Sequence, residues 1–353
     1  MRHRHSDYMY WARTSSRAKF NLATSGVGAF PLSEIPFNGR LELNSDSAYG
    51  YAPLKRAIGA KQGVDPDCVV TAAGTSMANH LAMAALLEPG DEALIERPAY
   101  ELLVSTARFL CADVRRFERS EESGYALDPA AIRRALSPRT KLIVLTNLHN
   151  PSSALAPEAA LRETGDLARS VGARVLVDEV YLDAVYEGTP GTSFHLGPEF
   201  VVTSSLTKIY GLSGLRCGWI LAQPDLARAM WRLNDLFGVI PAHPAETLSV
   251  AAFAHLEPIR ERSRRVVEAD RALLCDFLNK HPEVSAPRTD FGTTSFLRLK
   301  SGNADAFLDQ LRNDHETTAA PGRFFEMPDH FRVGMGVNTG MFREGLRRIG
   351  LTL

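Results

Sequence analysis

Short apolar runs alternate with longer helical patterns through the first two thirds of the chain, and no other feature constrains its fold as tightly. Strand-like runs fall at residues 68–72, 92–96, 113–117, 141–146, 174–177, 200–203 and 218–222. Helical periodicity fills the gaps at 75–88, 99–110, 129–136 and about 157–171, with Asp128 as a cap and Pro89-Gly90-Asp91 as a stop. Apolar strands separated by helices require a mostly parallel sheet covered on both faces. The runs at 200–203 and 218–222 are joined without a helix, so an antiparallel member is expected there. The fold class is α/β.

After Pro224 the pattern changes to long helical stretches, 225–237 and 245–279. A smaller α+β portion follows, with strands at 294–299 and 331–335 and helices at 304–313 and 340–349. The expected organisation is an N-terminal arm, 1–44, packed with the small domain, a large domain, 45–245, and a C-terminal small domain, 246–353. The basic, aromatic start, 1–20, lacks the apolar centre of a secretion signal.

Composition narrows the function classes. Lys and Arg number 40 against 41 Asp and Glu, a net charge of -1, and no basic stripe marks a nucleic-acid partner. No apolar run is long enough to span a membrane. Cys68, Cys111, Cys217 and Cys275 are widely spread, which points to a reducing, cytoplasmic setting without disulfides. His3, His5, His149 and the other histidines show no metal-ligand spacing, so no metal is expected.

In open α/β sheets, ligands bind beyond the carboxyl ends of the strands. Five strand ends here deliver polar residues: Gly74-Thr75-Ser76, Tyr100, Asn147 to Ser153, Asp178 to Tyr181, and Ser204, Ser205 and Lys208. A lone lysine wedged between two apolar runs loses hydration, which lowers its pKa and makes the amine nucleophilic. That suits a Schiff base. For a phosphorylated aromatic aldehyde, a helix opening at Gly74-Thr75-Ser76 suits the phosphate, with Ser205 and Arg216 beside it. Tyr100 can stack on the ring, Asp178 can hold its nitrogen protonated, and Asn150 and Tyr181 can bond its phenolic oxygen.

Taken singly, each residue has a plainer reading. Tyr100 could be core, Asp178 a turn acid, Asn150 turn chemistry before Pro151, Gly74 a packing glycine and Arg332 a surface arginine. Ser205-x-x-Lys208 also fits the penicillin-recognising hydrolases, but the Ser-Asp-Asn and Lys-Thr-Gly segments those need are missing.

As an ordered set, these residues resemble the pyridoxal-phosphate enzymes of the fold type I, class I/II aminotransferase family. Ala73-Gly74-Thr75-Ser76 is similar to its phosphate-cup turn, and Arg97-Pro98-Ala99-Tyr100 to its ring-stacker segment. Asn147-Leu148-His149-Asn150-Pro151 resembles its Asn-Pro signature, Asp178-x-x-Tyr181 its ring-binding pair, and Ser205-x-x-Lys208 with Gly211, Gly214, Arg216 and Gly218 its cofactor-lysine segment. Tyr49-Gly50-Tyr51-Ala52-Pro53-Leu54-Lys55, Pro321-Gly322 with Phe325, and Phe331-Arg332-Val333 resemble further family landmarks, so the likeness runs from about Asn21 to the C-terminus.

The resemblance implies a seven-stranded, mostly parallel sheet sandwiched by helices, a smaller α+β domain, and pyridoxal 5'-phosphate bound as an imine on Lys208. It implies Lys208, Asp178 and Tyr181 as the catalytic group. Gly74, Thr75, Ser76, Tyr100, Asn150, Ser205 and Arg216 would join them in holding the cofactor, and Arg332, Gly26 and Asn150 would hold substrate. The implied reaction passes an amino group between an α-amino acid and a 2-oxo acid in a homodimer. A lyase or decarboxylase of the same fold, or a non-catalytic regulatory module that binds the cofactor, are the alternatives. Three departures stand out: Ser153 where the family carries glycine, Asn44-Ser45-Asp46 where many relatives carry a tyrosine, and the atypical loop Thr24-Ser25-Gly26-Val27-Gly28.

Overall fold

In the structure, a computed structural model describing residues 4–37, 39–46 and 48–353, the alternating pattern builds one seven-stranded sheet. His3 lies outside the described residues. The strands are β2 (Val69–Ala73), β3 (Glu92–Arg97), β4 (Asp113–Glu118), β5 (Thr140–Thr146), β6 (Arg174–Asp178), β7 (Phe200–Ser205) and β8 (Cys217–Leu221), in the order β2-β8-β7-β6-β5-β3-β4. β8 is antiparallel to both neighbours, as the helix-free connection requires, and the remaining pairs are parallel.

Successive residues of the central strands feed opposite cores. Ile143 and Leu145 of β5 face one side with Val175, Val177 and Val202; Leu142 and Val144 face the other with Leu176 and Val201. Each such side chain, fully buried, contributes about 1.5–3 kcal/mol of hydrophobic stabilisation. Helices α2 (Ala52–Gln62), α3 (Gly74–Leu86), α4 (Glu101–Phe109), α5 (Pro129–Ala135), α6 (Glu158–Ser170) and α7 (Pro224–Asn234) cover the two faces. Asp128 caps α5 as expected, its carboxylate accepting from the Ala130 N–H at 2.9 Å.

The stretch 245–279 is not one helix. It divides into α8 (His243–Phe253) and α9 (Leu256–Lys280), and His255 between them leaves helical geometry at φ −133°, ψ 23°. Pro258 gives the reason: it has no N–H for the Ala254 carbonyl, so a continuous helix would lose a bond at that turn. Beyond it lies a four-stranded antiparallel sheet, ordered β12 (Ala320–Pro321), β13 (His330–Gly334), β10 (Thr294–Leu299), β9 (Val284–Ser285), packed with α10 (Ala304–His315) and α11 (Thr339–Thr352).

The N-terminal arm holds α1 (Asp7–Thr14), capped by Ser6. Its strand β1 (Phe20–Asn21) pairs in parallel with β11 (Thr317–Thr318). Through Tyr8 and Trp11 the arm packs on Phe324, while Tyr8 also meets Tyr100 beyond β3. The arm therefore touches both the large sheet's edge and the C-terminal portion.

Candidate active site

A cavity of about 690 Å³ opens at the carboxyl ends of the parallel strands. Thr75, Ser76, Tyr100, Asn150, Asp178, Tyr181, Lys208 and Arg216 line it, eight of the residues singled out in the sequence. Ser205 sits just behind Thr75, whose hydroxyl donates to its Oγ at 2.8 Å.

Lys208 stands on the loop between β7 and β8. Its amine donates to Ser25 Oγ at 2.9 Å and lies 5.9 Å from the centre of the Tyr181 ring. Burial pushes this amine below the ordinary lysine range, and burial pushes the Tyr181 phenol up. Gly26 is placed against Lys208 and off the cavity wall. A Cβ there would lie 3.1–3.3 Å from the Lys208 O, Cα and Cδ, and the Val27 N–H donates to the Lys208 carbonyl at 2.9 Å. The atypical 24–28 loop is thus a brace laid over the lysine, with Ser25 as its polar contact.

Asp178 closes β6. Its Oδ2 accepts from Asn79 Nδ2 at 2.8 Å and its Oδ1 from the Val180 N–H at 3.1 Å; Thr203 in turn donates to Asn79 Oδ1 at 2.5 Å. Burial still dominates and raises the carboxyl to about 6. Asn79 escaped the sequence reading because it sits mid-helix in α3, and only the fold aims it at the end of β6.

The β2–α3 turn forms a cradle. Gly74 takes φ +78°, and a Cβ on it would stand 2.4 Å from Arg216 Nη2. A Cβ on Gly218 would meet the Gly74 carbonyl carbon at 2.4 Å. Arg216 donates to the Ala73 carbonyl at 2.9 Å, which brings its guanidinium to the opening of α3. Free N–H groups at a helix start, the Thr75, Ser76 and Ser205 hydroxyls and one arginine are a donor set suited to a phosphate. With Asp178 lining the same cavity, the residues present fit a phosphorylated pyridinium. Cys217 beside Arg216 is a packed thiol: it is buried, and burial pushes it up to about 12.

The Asn-Pro loop is tied down from beneath. Neutral His149, held well below the usual histidine range by burial, bonds Ser152 Oγ at 2.6 Å and the Pro98 carbonyl at 2.9 Å. Ser153 explains one departure: it adopts φ +65°, a conformation that favours glycine, and its hydroxyl donates to the Thr294 carbonyl at 2.8 Å. Above this loop Arg332, wholly buried on β13, donates through Nη1 to Asn150 Oδ1 at 2.8 Å and through Nη2 to Tyr8 OH at 2.9 Å and the Ala23 carbonyl at 3.1 Å. Tyr100 stands edge-on to Tyr8, ring centres 5.6 Å apart, with its hydroxyl 3.5 Å from Met9 Sδ. The Arg332–Asn150 pair brings two expected substrate residues together; Tyr8 and Trp11 on the arm were missed, and Ser25 was noted only as part of the atypical loop 24–28. The aromatic start of the chain was the only signal for Tyr8 and Trp11.

Three further arginines, Arg40, Arg288 and Arg323, are engaged away from the cavity. Arg40 pairs with Glu42 at 2.8 Å, Arg288 bonds Asn279 at 2.5 Å, and Arg323 pairs with Asp305. Among the described residues, no His, Cys, Asp and Glu group could hold a metal and no helix is long and apolar enough to cross a membrane.

Comparison with known proteins decides the family. The sequence model of aminotransferase class I and II matches residues 40–349. The chain belongs to that family. It is a pyridoxal-phosphate-dependent enzyme of the aminotransferase type. It is 29% identical to capreomycidine synthase of Streptomyces vinaceus over 94% of this chain and 89% of that one. It is 27% identical to the arginine–pyruvate transaminase of Pseudomonas aeruginosa, covering 82% of this chain and 76% of the other. Among solved structures, a PLP-dependent aminotransferase from Streptococcus suis superposes with a TM-score of 0.93 at 25% identity, over 100% of this chain and 98% of that chain.

Proposed function

We propose that the protein moves an amino group between an α-amino acid and a 2-oxo acid, with Lys208 as the residue that joins the cofactor and carries the proton. One observation supports this above others: a single cavity holds the Lys208 amine, the Asp178 carboxyl and the Thr75-Ser76 helix opening. When bound, pyridoxal phosphate supplies an aldehyde that condenses with amines and a ring that withdraws electrons from the substrate carbon.

The chain's own residues do the rest. Gly74, Thr75, Ser76, Ser205 and Arg216 would hold the phosphate, and Tyr100 would pack against the ring. Asp178 would keep the ring nitrogen protonated, and Tyr181 and Asn150 would serve the ring oxygen. Lys208, its pKa lowered by burial, takes the proton from the substrate Cα and returns it as an acid. Arg332 and Asn150 orient the α-carboxylate, and Gly26 lets the arm lie close over Lys208. The four free cysteines suit the cytoplasm. Exposed Tyr49, Leu236, Phe237 and Val239, tied together by the 2.8 Å Tyr49–Asp235 bond, suit a twofold contact with a second copy.

A lyase or decarboxylase reading keeps the same cofactor and Lys208, and the likeness to a protein named as a synthase favours keeping it in the test. A screen of amino donors against 2-oxo acids, followed through the cofactor's absorbance, decides between them. Exchange that needs an acceptor supports transamination; turnover with no acceptor present contradicts it.

A further inference from the structure

A charged pair that the proposed chemistry does not use lies beside the cavity. Glu96, the penultimate residue of β3, and Arg119, the first residue past β4, bond each other at 2.8 Å with both side chains wholly out of solvent. Burial pushes the Glu96 carboxyl up and the Arg119 guanidinium down, so each ion is held at a cost in hydration. A buried ion pair adds little or no net stability over well-packed apolar residues of similar volume. What this pair holds in place is the end of β5.

The two oxygens of Glu96 divide their work. Oε2 takes the Arg119 bond, whereas Oε1 accepts from the Thr146 N–H at 2.8 Å and from the Thr146 hydroxyl at 2.6 Å. With its proton given to a carboxylate, the Thr146 oxygen is a strengthened acceptor, and it takes the Asn150 N–H at 2.9 Å. Arg119 is fixed from its other side by donating through Nε to the Tyr125 carbonyl at 2.8 Å. Asn150 lines the cavity, and its Oδ1 already accepts from Arg332 Nη1, so its amide offers the cavity the Nδ2 donor. We infer that Glu96 and Arg119 are positioning residues: through Thr146 they hold Asn150 so that its Nδ2 donates to the cofactor's ring oxygen. This rests on the proposed place of Asn150 beside that oxygen, and it extends the site to residues that never touch the cofactor.

An anionic ring oxygen that loses a donated hydrogen bond holds a nearby proton more tightly, so the pH at which the bound cofactor's absorbance changes must rise. The test titrates that absorbance in the holoenzyme. Thr146→Val keeps the side-chain shape and removes the hydroxyl, whereas Thr146→Ser keeps the hydroxyl. Glu96→Leu combined with Arg119→Met removes both charges at once and leaves no net charge behind. Thr146→Val and the paired variant are each expected to raise the pH of the absorbance change by about one unit, the net worth of one hydrogen bond, while Thr146→Ser stays with wild type. Adding Thr146→Val to the paired variant is expected to change nothing further, because both break the same chain of bonds. A paired variant that folds and does not shift overturns the inference, as does a shift that adds to that of Thr146→Val, or Thr146→Ser behaving like Thr146→Val. Asn150→Ala is the reference and is expected to shift the same way by at least as much. If it shifts and the others do not, the role of Glu96 and Arg119 alone is overturned; if it leaves the absorbance unmoved, the place of Asn150 beside the ring is overturned and the inference with it. Melting of each cofactor-free protein shows whether it folds. Should the paired variant not fold, the contrast at Thr146 decides, and an unmoved Thr146→Val overturns the inference.

Discussion

Asp178 is charged in a place that disfavours charge, and its behaviour with pH follows. Burial raises its carboxyl from 3.8 to about 6, against the pull of Asn79 and the Val180 N–H. In the unfolded chain it ionises near its ordinary value, so its contribution to stability is full below that value and is lost as pH climbs through about 6. At neutral pH the cofactor-free protein carries a penalty on the order of 3 kcal/mol, from roughly two units at 1.36 kcal/mol each. Asp178→Asn in the cofactor-free protein is therefore expected to melt higher than wild type at pH 8, with the difference gone at pH 4. Cofactor affinity moves the other way: the carboxylate attracts the protonated ring, so titration of the cofactor-free protein should show affinity falling as pH drops below about 6. A flat affinity from pH 8 to pH 5 would remove Asp178 from the ring-binding role.

At the scale of elements, the β2–α3 turn is where chain geometry and chemistry coincide. The φ of +78° and the 2.4 Å that would separate an added Cβ from Arg216 Nη2 leave no room for a side chain on Gly74. Gly74→Ala is expected to cost about 1–3 kcal/mol of stability through backbone strain and to weaken phosphate binding by displacing Arg216, read by thermal melting and by titration with the cofactor. Much of this scale was legible in advance. Strand order aside, the sequence pattern marked every strand of the large sheet to within two residues; the central strands are largely apolar because both their faces are buried, while edge strand β4 alternates exposed and more buried residues. The 245–279 stretch misled because helical periodicity survives a two-residue break, and only Pro258 betrays it. The role of Asn79 and the bond made by Ser25 were invisible for another reason. Their partners, Asp178 and Lys208, lie 99 and 183 residues away, and no local pattern encodes such a hydrogen bond.

On the scale of the whole molecule, the arm and the exposed apolar segment after α7 matter most. The arm closes the cavity by bracing Lys208 through residues 25–27 and by setting Tyr8 on Arg332. The segment Leu236 to Val239 leaves three large apolar side chains in solvent. Replacing Leu236 and Phe237 together by Asp is expected to lower the sedimentation coefficient to that of one chain while sparing the melting of the individual fold. If wild type itself sediments as a single chain, the twofold contact is refuted.

The central claim is amino-group transfer through Lys208, and a single-turnover experiment tests it most directly. Holoenzyme mixed with excess amino acid, with no 2-oxo acid present, should release one equivalent of the matching 2-oxo acid per site and no ammonia. Added 2-oxo acid should then restore the starting absorbance, and Lys208→Ala should yield neither step. Continuous release of ammonia without an acceptor, or full exchange by Lys208→Ala, would contradict the account.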